Sequence, residues 1–174
     1  WTHDGTGFFY ARFDAPKKAS SGAHDAGTET ESNVYHKLFY HVIGTNQSAD
    51  ILCYHTPDQP KWLVGAEVTD YGQYVLVTLS EGCDPVNRLY VARTDAIKED
   101  LPVKKVIDNF DAEYSYIGND GDVFTFKTNL NAPRYKIIRA NIMQPNVEFV
   151  DLIGQGADVL QWATVVHGNN LIQS

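Results

Sequence analysis

The sequence predicts an all-β chain: a partial β-propeller of about three four-stranded antiparallel blades plus the start of another. Three observations predict it. Short glycine-centred blocks recur at Thr2-His3-Asp4-Gly5, Thr69-Asp70-Tyr71-Gly72, Gly118-Asn119-Asp120-Gly121 and Val166-His167-Gly168-Asn169. Gly72 and Gly121 lie 49 residues apart and Gly121 and Gly168 lie 47 apart, whereas Gly5 and Gly72 are separated by 67 and hold an insertion between them. The segments flanking these blocks are aromatic and β-branched, which suits a pleated, half-buried strand. Helical patterning is nearly absent, and only Asp95 to Asp100 suggests a short helical turn.

The elements follow in order. A first unit, residues 1–57, carries strands at Phe8 to Phe13, Lys37 to Ile43 and Asp50 to Tyr54, and lacks most of an inner strand. A second, residues 58–110, carries Trp62 to Thr69, Tyr74 to Leu79, Arg88 to Arg93 and Lys104 to Ile107. A third, residues 111–156, carries Glu113 to Ile117, Val123 to Thr128, Tyr135 to Ile142 and Glu148 to Ile153. A fourth, residues 157–174, opens with Leu160 to Val166, ends within a strand at Leu171-Ile172-Gln173-Ser174, and lacks its outer two strands. A four-stranded sheet of this size cannot bury both faces alone, and stacking successive sheets around an axis buries them all. A β-sandwich also yields short strands at regular spacing, and the four-strand beat favours the propeller over it. Residues 14–33 are rich in Ser, Gly, Ala, Thr and charge without apolar periodicity, and are expected to form a long mobile loop. The chain opens at Trp1 without Met, and both ends are expected to be cuts through structure.

Composition narrows the function classes. Of 174 residues 43% are hydrophobic, enough for a packed core, and the net charge of −8 disfavours contact with phosphate backbones. No nucleic-acid partner is expected, and no stretch is long and apolar enough for a membrane span. Cys53 and Cys83 stand thirty residues apart with no Cys-x-x-Cys pair, so free thiols in a cytoplasmic protein are expected.

Catalytic signatures are missing. No Gly-x-Ser-x-Gly elbow, phosphate-binding glycine loop or His-Glu-x-x-His run occurs, and no cofactor or metal is expected. His36 and His41 are five apart on one predicted strand and so face opposite ways, which denies them a shared metal. Asn119-Asp120-Gly121-Asp122 lacks the ligand spacing of a calcium loop and reads as a hairpin turn. Cys83 sits where one strand breaks and the next restarts. There Asp84 is placed to cap the turn that Pro85 enters, and Glu81 is placed to pair with Arg88.

The run Glu81-Gly82-Cys83-Asp84-Pro85-Val86-Asn87-Arg88-Leu89 resembles the propeller of the prolyl oligopeptidases. Further runs resemble it in the same order: Trp1-Thr2-His3-Asp4-Gly5, Gly27-Thr28-Glu29-Thr30, Asp50-Ile51-Leu52-Cys53, Pro60-Lys61-Trp62, Gly65-Ala66-Glu67, Ile107-Asp108-Asn109-Phe110 and Val123 to Asn129. The likeness covers nearly the whole chain and loosens after Asn146.

The resemblance implies a seven-bladed parent propeller covering an α/β-hydrolase domain that cleaves short peptides after proline. The serine, histidine and aspartate of catalysis belong to that domain, so none is expected here. Its implied partners are the hydrolase domain, the remaining blades and short proline-containing peptides. By matched motifs Leu63 and Cys83 face the substrate cavity, Leu63 as an apolar contact and Cys83 as the source of thiol-reagent sensitivity in the parent. Ser80 stands where the family often has a substrate-holding Arg. The 14–33 insertion, with Lys17, Lys18, His24, Glu29 and Glu31, corresponds to a loop that gates access. The alternative is a stand-alone interaction module that self-associates through open strand edges.

Overall fold

The computed structural model describes residues 1–14, 34–166 and 170–173, the last four as backbone. Thirteen strands are described: β1 (Gly7–Arg12), β2 (Lys37–Val42), β3 (Ile51–His55), β4 (Leu63–Val68), β5 (Tyr74–Ser80), β6 (Arg88–Arg93), β7 (Lys104–Ile107), β8 (Tyr114–Asp120), β9 (Val123–Thr128), β10 (Lys136–Asn141), β11 (Val150–Ile153), β12 (Ala163–Val166) and β13 (Asn170–Gln173). They form four successive antiparallel sheets, β1-β2-β3, β4-β5-β6-β7, β8-β9-β10-β11 and β12-β13, each ordered as the chain runs. The first sheet has three strands, and the second and third have four each. A short 3-10 turn occupies Thr94–Ala96, one residue ahead of the turn expected from Asp95, and a second, at Gln47–Ala49, had no clear signal in the sequence.

Two hairpins show why the repeat exists. Thr2 N–H donates to Gly7 O at 2.9 Å and Gly5 N–H to Thr2 O at 3.0 Å; Thr69 N–H donates to Tyr74 O at 2.9 Å and Gly72 N–H to Thr69 O at 2.7 Å. In both, the threonine hydroxyl also accepts from the residue that starts the next strand. Gly5 and Gly72 hold φ of 70° and 73°, a region where a Cβ is strained.

The second sheet is buried on both faces, which explains the continuous apolar runs of β5 and β6. Tyr74 and Leu76 of β5 join Leu89, Val91, Phe124, Phe126 and Ile138 in one core, between the second and third sheets. Val75, Val77 and Leu79 point the other way and join Leu38, Cys53, Val64 and Tyr90, between the first and second. Period-two alternation along one strand therefore feeds two cores, and the sheets pack face to face as propeller blades do.

A regularity emerges that the glycine turns did not announce. The ladder slips between the second and third residues of the third strand of each four-stranded unit and at the matching place in the first sheet: Leu38/Phe39, Leu89/Tyr90 and Ile137/Ile138. Each slip follows a basic residue and a Leu or Ile, and such bulges increase the local twist.

Candidate functional site

β5 ends at Ser80, and Gly82, at φ 71°, turns the chain into the loop that carries Cys83 before β6 begins. A cleft of about 440 Å³ lies between this loop and β8 of the next sheet, and Ser80, Cys83, Asp84, Glu67, Glu113 and Tyr116 are among its lining residues. Ser80 faces Leu63 across the β4–β5 ladder, and Leu63 is 40% exposed, outside the lining itself. The three residues implied by resemblance are thus neighbours along one rim, two of them in the cleft.

The two cysteines differ in kind. Cys83 is exposed, whereas Cys53 is buried and burial pushes its thiol up to about 12. A thiol so raised is inert near neutrality.

The cleft wall is acidic. Burial, then the charge of Asp70, raises the Glu67 carboxyl above its ordinary value. Glu113 is already engaged, by Ser115 Oγ at 3.2 Å and Tyr135 OH at 2.6 Å. Tyr116, whose hydroxyl is raised by burial, donates to Asn119 Oδ1 at 2.6 Å. Among the described residues no histidine lines the cleft, so neither Ser80 nor Cys83 has an imidazole beside it there. Among the described residues no group of three or more His, Cys, Asp or Glu is placed to hold a metal. The arrangement brings hydroxyls, carboxylates and one thiol together along one cleft.

The loop's supports correct two expectations. Glu81 does not pair with Arg88; its Oε2 accepts the Trp62 indole N–H at 3.0 Å. Arg88 instead donates to Asp108 O at 2.7 Å and bonds the Asp108 carboxylate, with its guanidinium over Trp62 and Phe110 at 4.5 and 4.7 Å. The longer reach across the sheet wins because Asp108 offers two acceptors and the rings offer a flat seat. The turn at Pro85 is closed by the backbone, Val86 N–H to Asp84 O at 2.8 Å, and not by the Asp84 carboxylate. Burial alone would raise the Asp108 carboxyl, but bonds from Tyr90, Lys105 and Arg88 outweigh it and hold it below its ordinary value.

Lys17, Lys18, His24, Glu29 and Glu31 lie outside the described residues. Sequence reasoning also passed over Asn87 and Asn129. Asn87 lies inside the very run that carries the resemblance, but its partner, Tyr114, is 27 positions away and nothing local announces the pairing.

At the other end of the strands a second cleft, about 460 Å³, opens between the Thr2–Thr6 turn and the Tyr71-Gly72 hairpin. Its Thr2, Thr6 and Tyr40 hydroxyls are bonded to one another and to Asp4, which leaves them satisfied.

The family model described as prolyl oligopeptidase, N-terminal beta-propeller domain, matches residues 1–174. Prolyl oligopeptidase A of Amanita bisporigera is 35% identical over 155 residues, covering 88% of this chain and 20% of its own. A prolyl endopeptidase of Dictyostelium discoideum is 36% identical over 177 residues, covering 92% of this chain and 23% of its own. The solved structure of prolyl oligopeptidase B from Galerina marginata, bound to a 35mer hydrolysis and macrocyclization substrate, superposes with a TM-score of 0.88 at 30% identity, over 99% of this chain and 23% of that one. The chain spans about a fifth of the length of these relatives. Stacked four-stranded sheets, the Cys83 run and a match along the entire length agree: the chain belongs to the prolyl oligopeptidase family and lies within its N-terminal β-propeller domain.

Proposed function

We propose that the chain forms part of the propeller that admits peptides to the cavity of a serine-type endopeptidase cleaving short peptides after proline. The observation that carries this is family membership along all 174 residues, joined to a cleft between the second and third sheets that Ser80 and Cys83 line. The four sheets are assigned to blades spanning 1–57, 58–110, 111–156 and, in part, 157–174. Catalysis is assigned to an α/β-hydrolase domain outside these residues, which closes the cavity against the propeller together with the remaining blades.

Leu63, Ser80 and Cys83 are assigned to the substrate-facing rim, with Leu63 giving apolar contact. Ser80 supplies a hydroxyl where relatives often carry a cation, so peptide recognition here leans on hydrogen bonds and not on a fixed positive charge. Among the described residues no helix is long and apolar enough to cross a membrane, and cytoplasmic residence belongs to the same reading.

A fluorogenic peptide with proline before the reporter tests it. The whole protein carrying this segment is expected to hydrolyse the peptide and to lose that activity to a serine-directed reagent. Residues 1–174 alone are expected to do nothing. Hydrolysis by residues 1–174 alone, or a whole protein indifferent to proline at that position, contradicts the proposal.

A further inference from the structure

The loop bearing Cys83 is tied to the neighbouring sheet by two asparagines. Asn87 is 8% exposed and makes a cyclic pair with the first residue of β8: Tyr114 N–H donates to Asn87 Oδ1 at 2.7 Å, and Asn87 Nδ2 donates to Tyr114 O at 3.4 Å. Its own backbone N–H donates to Ala112 O at 2.9 Å. From the other sheet, Asn129 Nδ2 donates to Pro85 O at 3.0 Å while its Oδ1 accepts Glu113 N–H at 2.7 Å. β8 is the edge strand of its sheet, so the Tyr114 backbone groups would otherwise be buried unpaired. A primary amide carries a donor and an acceptor side by side and can stand in for one residue of a further strand.

We propose that Asn87 and Asn129 are positioning residues that clasp the Cys83 loop to the third sheet, so that the seam between two sheets sets the width of the cleft and the place of its thiol. The inference rests on the reading of this cleft as a wall of the substrate cavity. Neither asparagine touches the thiol. They hold the chain at Pro85 and Asn87, two and four residues from Cys83.

Deuterium uptake and peptidase kinetics on the whole protein test it. In Asn87→Ala and in Asn129→Ala, uptake across residues 81–88 is expected to rise about tenfold, since the side-chain hydrogen bonds that hold the loop to the third sheet are gone. Asn87→Asp keeps the acceptor for Tyr114 N–H and is expected to restore slow exchange at Tyr114 but not across the loop. Asn87→Ala is expected to raise KM severalfold and leave kcat in place, because the clasp shapes a wall and meets no reacting atom. Uptake across 81–88 unchanged in both alanine variants overturns the clasp. Faster uptake with KM unmoved overturns its link to the cavity, provided a bulky maleimide on Cys83 does raise KM. If that label leaves KM unmoved, the cavity reading has failed, and uptake alone decides the clasp.

Discussion

At His36 the direction of one hydrogen bond fixes a protonation state. Val64 N–H donates to His36 Nδ1 at 3.0 Å, so that nitrogen must be bare, and the ring stacks on Phe13 at 4.4 Å between centroids. Burial lowers the ring's pKa below its ordinary 6.5. The unfolded chain therefore takes up this proton first as pH falls. Stability owed to His36 is present in full above 6.5 and is lost as pH drops through the lowered native value. Unfolding free energy measured by urea titration is expected to decline as pH falls below 6.5, and His36→Asn, which keeps an acceptor near Nδ1, is expected to remove that decline. A slope that survives His36→Asn unaltered assigns the proton elsewhere. His41, the other histidine of this stretch, reaches a different partner, Asp50 Oδ1 at 2.7 Å, so the two rings do serve separate structural roles.

One level up, a single hairpin design is used twice with different surroundings. Gly5 and Gly72 share the same φ, but a Cβ on Gly5 would meet nothing within 4 Å, whereas one on Gly72 would come within 2.8 Å of His3 Cγ. Both substitutions by alanine carry the left-handed strain of about 1 kcal/mol. Gly72→Ala adds the displacement of His3, so it is expected to cost about 2 kcal/mol against about 1 for Gly5→Ala, read from urea midpoints. Equal losses would mean that His3 swings aside freely. The hairpins were legible because each packs its signal, Thr-x-x-Gly, into four consecutive residues. The bulges were not legible in advance. Their marker is a basic residue and a Leu or Ile at Lys37-Leu38, Arg88-Leu89 and Lys136-Ile137, and its meaning lies in partners far along the chain. Lys37 meets Asp14 at 2.7 Å, Arg88 meets Asp108, and Lys136 meets Asp151 at 2.8 Å. Pairing across a sheet has no sequence period of its own, and that is also why the two asparagine clasps escaped notice while Cys83, in the same loop, did not.

Across the whole molecule the second sheet is the shared wall of two cores, and its strand β5 can be used to address each separately. Leu76 packs with Leu89, Phe124 and Phe126 toward the third sheet. Leu79, three residues on and so on the opposite face, packs with Leu38, Cys53 and Tyr90 toward the first. Both leucines are almost wholly buried, at 1% and 0% exposure, so each change to alanine removes a comparable side chain and costs about 2–5 kcal/mol. In a stack where each sheet touches only its neighbours, that loss is felt first across the seam it faces. Leu76→Ala is therefore expected to speed deuterium exchange in β9 and β10 before β1 to β3, and Leu79→Ala to do the reverse. Uniform acceleration in both variants would make the four sheets one cooperative unit. In that case a strained cleft at the Cys83 loop would be felt equally at the far hairpins, and the clasp at Asn87 would stabilise the stack as a whole instead of one seam.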